Sequence, residues 1–293
     1  MSISPTSLFL PLRGLNVHYL DWGGSGQPLI LLHGLASTAH IWDLIAPALR
    51  DDFRVVALDW RGHGLSDKPP AGYSHAELAE DLGTFLTALE FDRPLLVGHS
   101  WGGNIAVQFA ATYPNRLDKL ILVDGGTFEP GRRMTWEETE PALAPLTLDG
   151  LWRTELERRL AKWYAPVWSP VVAEILLASY ETDVQGRVTA RFPREQHRQV
   201  VRAMWEQRPT ELAKQICCPV LLLMAAPADE HRFGQRWFWL KQEDVELFTA
   251  NLAQGRVEWL PNSIHDIPLQ HPQLVIDRIR QFAKSSSPGQ PIR

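Results

Sequence analysis

The residue of this 293-residue chain with the clearest chemical potential is Ser100, which lies at the centre of a G-x-S-x-G pentapeptide at 98–102. The apolar run 95–97 precedes the pentapeptide and a helical pattern follows it. A strand, a sharp turn and a helix in this order are the setting of a nucleophile elbow, which exposes a serine hydroxyl at the turn. Flanking glycines let the strand and the helix approach closely. We therefore predict that Ser100 is a nucleophile, with an ordinary glycine-rich turn as the alternative.

A serine hydroxyl needs a base to accept its proton before it becomes an effective nucleophile. His265 is the candidate base, because it follows the predicted strand 256–260 and precedes an amphipathic helix pattern at about 272–283. The imidazole is thus expected just beyond the carboxyl end of a strand. If His265 is the base, activity should fall as the pH drops through its pKa, which is about 6.5 for an unperturbed imidazole.

The third residue of such a triad is a carboxylate that orients the imidazole and stabilises its charged form. A carboxylate at a strand end between Ser100 and His265 would give the chain order Ser, Asp, His, and we take Asp229, five residues beyond the apolar strand 218–224, as that acid. Asp124 is the alternative acid, because it directly follows the strand 120–123. Asp266, beside His265, is expected to cap the loop.

Stabilising the oxyanion of an acyl-transfer reaction requires two backbone N–H groups near the nucleophile. We predict that one belongs to Trp101, which follows the serine at a helix N-terminus, and the other to Leu35, which follows the strand 28–32. The side chains of both residues would then be free to line a substrate pocket.

Together these segments resemble the α/β-hydrolase family over nearly the whole chain. The resemblance rests on segments that follow predicted strands in chain order: His33-Gly34, the turn 59–66, the pentapeptide 98–102, Asp229 and His265. It implies an α/β fold with a mostly parallel central sheet, helices on both faces and an inserted helical cap. Within the turn 59–66 it implies structural roles for Arg61 and His63.

The alternation of strands and helices predicts the domain boundaries. It is interrupted between about 126 and 213, where helical patterns rich in aromatic residues replace the strands. We therefore predict a core formed by 1–125 and 214–284, a cap at 126–213 and a flexible tail at 285–293. On a predicted helix of the cap, Arg194, His197 and Arg198 are expected on the exposed face.

The composition agrees with a soluble enzyme. A formal net charge of −5 gives no basic surface for nucleic acid, and no apolar run approaches the roughly 18 residues that span a bilayer. The two cysteines, Cys217 and Cys218, are adjacent and are expected to be reduced and buried, as in a cytoplasmic protein. No metal-ligand spacing or dinucleotide-binding glycine pattern occurs, so we predict neither metal nor cofactor. The oligomeric state is left open.

These residues predict a carboxylesterase that acts on small to medium apolar or aromatic esters through an acyl-enzyme. The resemblance leaves lactonase, amidase and carbon–carbon bond hydrolase activities open, and it includes small-molecule receptors of the same fold. Haloalkane dehalogenases and epoxide hydrolases of this fold use an aspartate at the nucleophile position, so Ser100 argues against both.

Overall fold

The structure is a computed structural model that describes residues 4–226 and 235–285, with the side chains of 235–238 left out. Its strands are β1 (Thr6–Leu12), β2 (Leu15–Gly23), β3 (Gln27–Leu32), β4 (Phe53–Leu58), β5 (Leu95–His99), β6 (Lys119–Val123), β7 (Tyr180–Thr182), β8 (Val188–Ala190), β9 (Val220–Ala226) and β10 (Gly255–Pro261). Within the described residues, β7 and β8 form a separate antiparallel hairpin, and the others form one sheet in the order β1-β2-β4-β3-β5-β6-β9-β10.

The central sheet is parallel from β4 through β10, and β1 and β2 join it antiparallel. The carboxyl ends of the parallel strands therefore meet at one edge, where ligand sites of α/β sheets form. This arrangement confirms the predicted fold class. The β1–β2 pair was not predicted.

Helices flank the sheet. They are α1 (Ala46–Leu49), α2 (His75–Ala88), α3 (Trp101–Thr112), α4 (Trp136–Ala142), α5 (Arg153–Trp163), α6 (Pro170–Leu177), α7 (Arg194–Glu206), α8 (Pro209–Leu212), α9 (Gln235–Ala250), α10 (Ile267–Gln270) and α11 (Pro272–Lys284), with short 3₁₀ turns at Ala39–Trp42, Pro130–Arg132 and Ala213–Gln215. α2 begins with a capping box, since Glu77 N donates to Ser74 Oγ at 3.3 Å and Ser74 N donates to Glu77 Oε2 at 3.2 Å.

The buried strands divide the core into two layers. Side chains alternate along a strand, so Ile30 and Leu32 of β3 pack in one cluster with residues of α2 and α3. Leu29 and Leu31 pack in the other cluster with residues of α1 and α11. Helices on both faces therefore bury β3 and β5, and the turns that follow these strands begin from the packed core.

Residues 126–213, between β6 and β9, contribute helices α4 to α8 and the β7–β8 hairpin, and they add no strand to the central sheet over this range. Part of the segment has its own small core, formed by Leu148, Leu156, Leu160, Leu177 and Val188. The hairpin was not predicted, because three-residue strands are too short to show a period of two. The assignment of the segment as a cap stays a prediction at this point.

Two smaller expectations have mixed outcomes. Cys218 is buried and burial raises the pKa of its thiol to about 12, but Cys217 is exposed, so the expectation of two buried thiols was wrong for Cys217. Of the predicted tail 285–293, only Ser285 lies within the described residues.

No helix in the described part of the chain is both long and apolar enough to span a membrane.

Candidate active site

Ser100 occupies a strained turn between β5 and α3. Its backbone has φ 52° and ψ −125°, a combination that is unfavourable for a residue with a side chain. A Cβ at Gly98 would lie 2.7 Å from Gly102 O, and a Cβ at Gly102 would lie 2.6 Å from His33 O. The Ser100 N–H donates to Val123 O of β6 at 3.0 Å, which fixes the turn against the neighbouring strand. The predicted elbow geometry is therefore present.

A chain of hydrogen bonds leads away from the serine. The Ser100 hydroxyl donates to His265 Nε2 across 2.9 Å, and His265 Nδ1 donates to Asp124 Oδ2 across 2.7 Å. Since a carboxylate only accepts, Nδ1 carries the proton and the Nε2 lone pair faces the hydroxyl. This is the geometry in which a histidine can deprotonate a serine.

The carboxylate of this chain belongs to Asp124, the alternative acid of the sequence analysis. Asp124 follows β6 directly in a left-handed conformation, with φ 44°. Its other oxygen, Oδ1, accepts from Ala225 N at 2.8 Å and from Lys241 Nζ. The first choice of acid, Asp229, falls at 227–234, outside the described residues.

Asp124 and His265 each stabilise the charged form of the other. Burial raises the pKa of Asp124, but His265 and Lys241 lower it by more, to about 2. Burial lowers the pKa of His265, although its side chain remains 46% accessible, and the hydrogen bond and charge of Asp124 raise the pKa above its ordinary 6.5. Near neutral pH, Asp124 is therefore an anion that stabilises a protonated His265.

The two predicted oxyanion donors belong to backbone segments that adjoin the serine. Trp101 is the first residue of α3, where N–H groups have no partner within the helix. Leu35 follows Gly34, at which a Cβ would lie 2.9 Å from Ser100 Cβ. The Gly34 backbone thus passes directly beside the serine side chain. Leu35 also lines the cavity next to Ser100.

The side chain of Trp101 has a different place from the one predicted. It is 1% exposed and its indole Nε1 donates to His75 Nε2 at 3.1 Å, so it packs in the core and does not line the cavity next to Ser100. The Trp101 side chain is large enough to pack into the hydrophobic core from the first turn of α3, and His75 Nε2 accepts the indole N–H there.

Arg61 and His63 have the structural roles that were implied. Arg61 forms two hydrogen bonds with buried Asp81, at 2.6 and 2.7 Å. His63 Nε2 accepts from Ala36 N at 3.2 Å, and its ring stacks on Phe192 at a centroid distance of 3.7 Å. His63 therefore connects the turn after β3 with the segment 126–213.

A cavity of about 390 Å³ opens at Ser100 and His265. Its far walls come from the segment 126–213 and are mostly apolar or aromatic, with Leu146, Leu148, Leu160, Trp163, Leu176, Tyr180 and Phe192. Side chains of this type bind apolar ligand groups and exclude water.

His197 also lines this cavity, which the sequence analysis did not foresee. Its side chain is 6% exposed, so the expectation of an exposed position was wrong, whereas Arg194 and Arg198 are exposed as predicted. His197 lies on the buried face of α7 with Val200 and Val201. The expectation of exposure rested on the polar character of its side chain. Burial lowers the pKa of His197 to about 4, and the charge of Arg194 acts in the same direction, so the ring is neutral near pH 7.

The expectation that Asp266 caps its loop was wrong. Asp266 makes no side-chain cap for α10, and instead its Oδ2 accepts from the Tyr164 hydroxyl at 2.8 Å. His99 Nε2 donates to His265 O at 3.2 Å and lies 3.7 Å from Asp266 Oδ1. The loop that carries His265 is thus attached to β5 and to the end of α5. In the sequence, the indication of a role at the site was that Asp266 directly follows His265.

With this geometry established, comparison with known proteins identifies the family. A family model described as the alpha/beta hydrolase fold matches residues 27–208, which is more than half of the chain. The chain belongs to the α/β-hydrolase fold family. In agreement, the crystal structure of E-2-(acetamidomethylene)succinate hydrolase superposes on 96% of this α/β hydrolase and 100% of that chain, with a TM-score of 0.79 and 22% identity. At that identity the likeness concerns the fold.

Sequence relatives of this α/β hydrolase have several activities. N-formylmaleamate deformylase of Pseudomonas putida is 32% identical over 192 residues, covering 61% of this chain and 72% of the relative. The soluble epoxide hydrolase of Corynebacterium sp. is 36% identical over 113 residues, covering 39% of each protein. The matches to the first curated relatives span only about a third of their length, 30% in a Mycobacterium tuberculosis protein.

Proposed function

We propose that this α/β hydrolase is a serine hydrolase that cleaves small to medium apolar or aromatic carboxylic esters through an acyl-enzyme. The observation that carries the proposal is the continuous hydrogen-bond chain from Ser100 to His265 to Asp124, with lengths of 2.9 and 2.7 Å. We propose Asp124 as the acid, in place of Asp229.

In the proposed reaction, Ser100 Oγ attacks the ester carbonyl while His265 Nε2 accepts its proton. The N–H groups of Leu35 and Trp101 stabilise the oxyanion. His265 then returns the proton to the leaving alkoxide, and a water that His265 activates releases the acid. Asp124 keeps its negative charge throughout and stabilises the imidazolium.

The cavity supports a neutral substrate. Among the described lining residues there is no lysine or arginine, and Asp266 places a carboxylate in the wall. A substrate carboxylate entering this cavity would lose its hydration without gaining a cationic partner, which is costly. We therefore propose that this enzyme prefers uncharged acyl groups. Residues 126–213 act in this proposal as a cap over the core formed by 1–125 and 214–284.

Amide hydrolysis is the second candidate, because the relative matched over 72% of its length is named a deformylase. An amide needs protonation of a poorer leaving group, and His265 is positioned to supply that proton as well.

The test is hydrolysis of p-nitrophenyl esters from acetate to decanoate, together with the p-nitrophenyl hemiester of succinate and p-nitroanilides of the same acyl groups. Turnover of neutral esters that Ser100→Ala abolishes, with the hemisuccinate much slower than the butyrate, would support the proposal. Anilide rates that match ester rates would favour an amidase. A folded wild type that binds these compounds without turnover would favour a receptor.

A further inference from the structure

Lys241 of α9 reaches the acid of the hydrogen-bond chain. Its Nζ forms an ion pair with Asp124 Oδ1 and donates a hydrogen bond to Ala225 O at 2.7 Å. The lysine side chain is 25% exposed and the Asp124 side chain 4%. A partly buried ammonium group therefore lies against a buried carboxylate, on the side opposite His265.

We propose that Lys241 is a positioning residue for the proposed hydrolase: it fixes the Asp124 carboxylate toward His265 and limits the proton affinity of the imidazole. The inference rests on the proposed function for its kinetic readout and on the geometry alone for a second, spectroscopic readout.

The positioning role follows from how the oxygens of Asp124 are shared. Oδ2 accepts from His265, whereas Oδ1 accepts from Ala225 N and Lys241. Donors on both oxygens oppose rotation of the carboxylate about its terminal torsion, which is otherwise broad. A charge-assisted bond contributes more to this restraint than the neutral backbone N–H does.

The electrostatic role follows from the charges around the imidazole. Asp124, at the end of β6, and Asp266, in the same loop as His265, both favour the imidazolium. Lys241, on α9, disfavours it, and His99 at the end of β5 is a neutral neighbour because burial lowers its pKa to about 4. Among these charges, Lys241 is the one that opposes protonation of His265, so it favours the neutral imidazole that acts as a base.

Removing the positive charge of Lys241 stabilises the imidazolium, so the acid limb of kcat/KM should move to higher pH. Removing its hydrogen bond loosens Asp124, and a misplacement of about 1 Å in an active site can cost about a hundredfold in rate. We expect Lys241→Met to lower kcat by about ten- to a hundredfold at pH 7, while KM changes little.

A matched control exists at the other end of β6. Lys119 Nζ also bonds one carboxylate, that of Asp118 at 3.3 Å, and one backbone carbonyl, that of Ala283 at 2.9 Å. Lys119→Met removes a comparable group and should leave the acid limb unchanged. Lys241→Arg keeps the charge and should retain the wild-type limb with part of the kcat.

The experiment measures kcat/KM for p-nitrophenyl butyrate from pH 5 to 9 in wild type, Lys241→Met, Lys241→Gln, Lys241→Arg and Lys119→Met, each checked for folding by circular dichroism. The His265 imidazole is also titrated by NMR in wild type and in whichever neutral variant folds. An upward shift of both the limb and the NMR titration in the neutral variants alone supports the proposal.

The proposal is overturned if the neutral variants lose activity without any shift, or if Lys241→Arg behaves like Lys241→Met. It is also overturned if Lys119→Met produces the same shift. If wild type has no esterase activity but the NMR titration still shifts, the proposed function fails while the electrostatic role of Lys241 stands.

Discussion

Asp124 and His265 are 141 positions apart in the chain, and their Oδ2 and Nδ1 atoms are 2.7 Å apart in the structure. Asp124 follows β6, which pairs with the strand that leads to Ser100. Three neighbouring strands therefore meet at this point, because Ala225 at the end of β9 also donates to Asp124. The proposed acid, Asp124, therefore follows the strand beside the elbow and accepts a hydrogen bond from the backbone of β9, the next strand in the sheet.

This relationship predicts opposite outcomes for two conservative variants. Asp124→Asn should lower kcat by about 10⁴-fold, because an amide no longer selects the required tautomer of His265. Asp229→Asn should leave kcat near the wild-type value. The measurement is steady-state hydrolysis of p-nitrophenyl butyrate, with thermal melting as the folding check. A larger loss in Asp229→Asn would return the role of the acid to Asp229.

The site could be predicted from sequence where its geometry is local. Ser100 and its glycines occupy one turn, so the pattern at 98–102 was sufficient to identify the elbow. The choice between Asp124 and Asp229 depends on which strand end faces the His265 loop, and packing between distant segments decides that. For His197, the polar side chain indicated exposure, and only the tertiary packing of α7 places it at the cavity. The mostly parallel sheet was predictable because its buried strands are continuous apolar runs.

The raised pKa of His265 predicts the pH dependence. The base must be neutral, so activity is lost as the pH falls through that pKa, and the midpoint of the acid limb should lie above 6.5. Two neighbouring histidines do not obscure this limb, since burial lowers the pKa of His99 and that of His197 to about 4. The measurement is kcat/KM from pH 4.5 to 9, and a profile that is flat down to pH 5 would contradict the role of His265.

Gly34 predicts a steric effect at the serine. A Cβ there would lie 2.9 Å from Ser100 Cβ and 3.4 Å from its Oγ, so Gly34→Ala must displace either the serine or the turn that carries Leu35. We expect a loss of about a hundredfold in kcat/KM. The control is Gly83→Ala within α2, where the added Cβ would lie 3.6 Å from Phe109 Cε2, an ordinary van der Waals contact. It should keep full activity and stabilise the fold by about 0.5–1 kcal/mol, which chemical denaturation would measure. Equal activity in both variants would show that the passage beside Ser100 tolerates a methyl group.

The bond between Tyr164 and Asp266 predicts that the segment 126–213 contributes to holding the His265 loop. Tyr164→Phe removes a 2.8 Å hydrogen bond to a carboxylate and should lower the free energy of unfolding by about 1.5–3 kcal/mol. It should also lower kcat severalfold, because the loop that positions His265 loses its attachment to α5. Tyr180→Phe is the matched control, since Tyr180 lines the same cavity and its hydroxyl forms no hydrogen bond with the described residues. Urea unfolding and steady-state kinetics of both variants separate the two effects. If the two substitutions act alike, the loop is held by the backbone and by His99, and its contact with the segment 126–213 is incidental to catalysis.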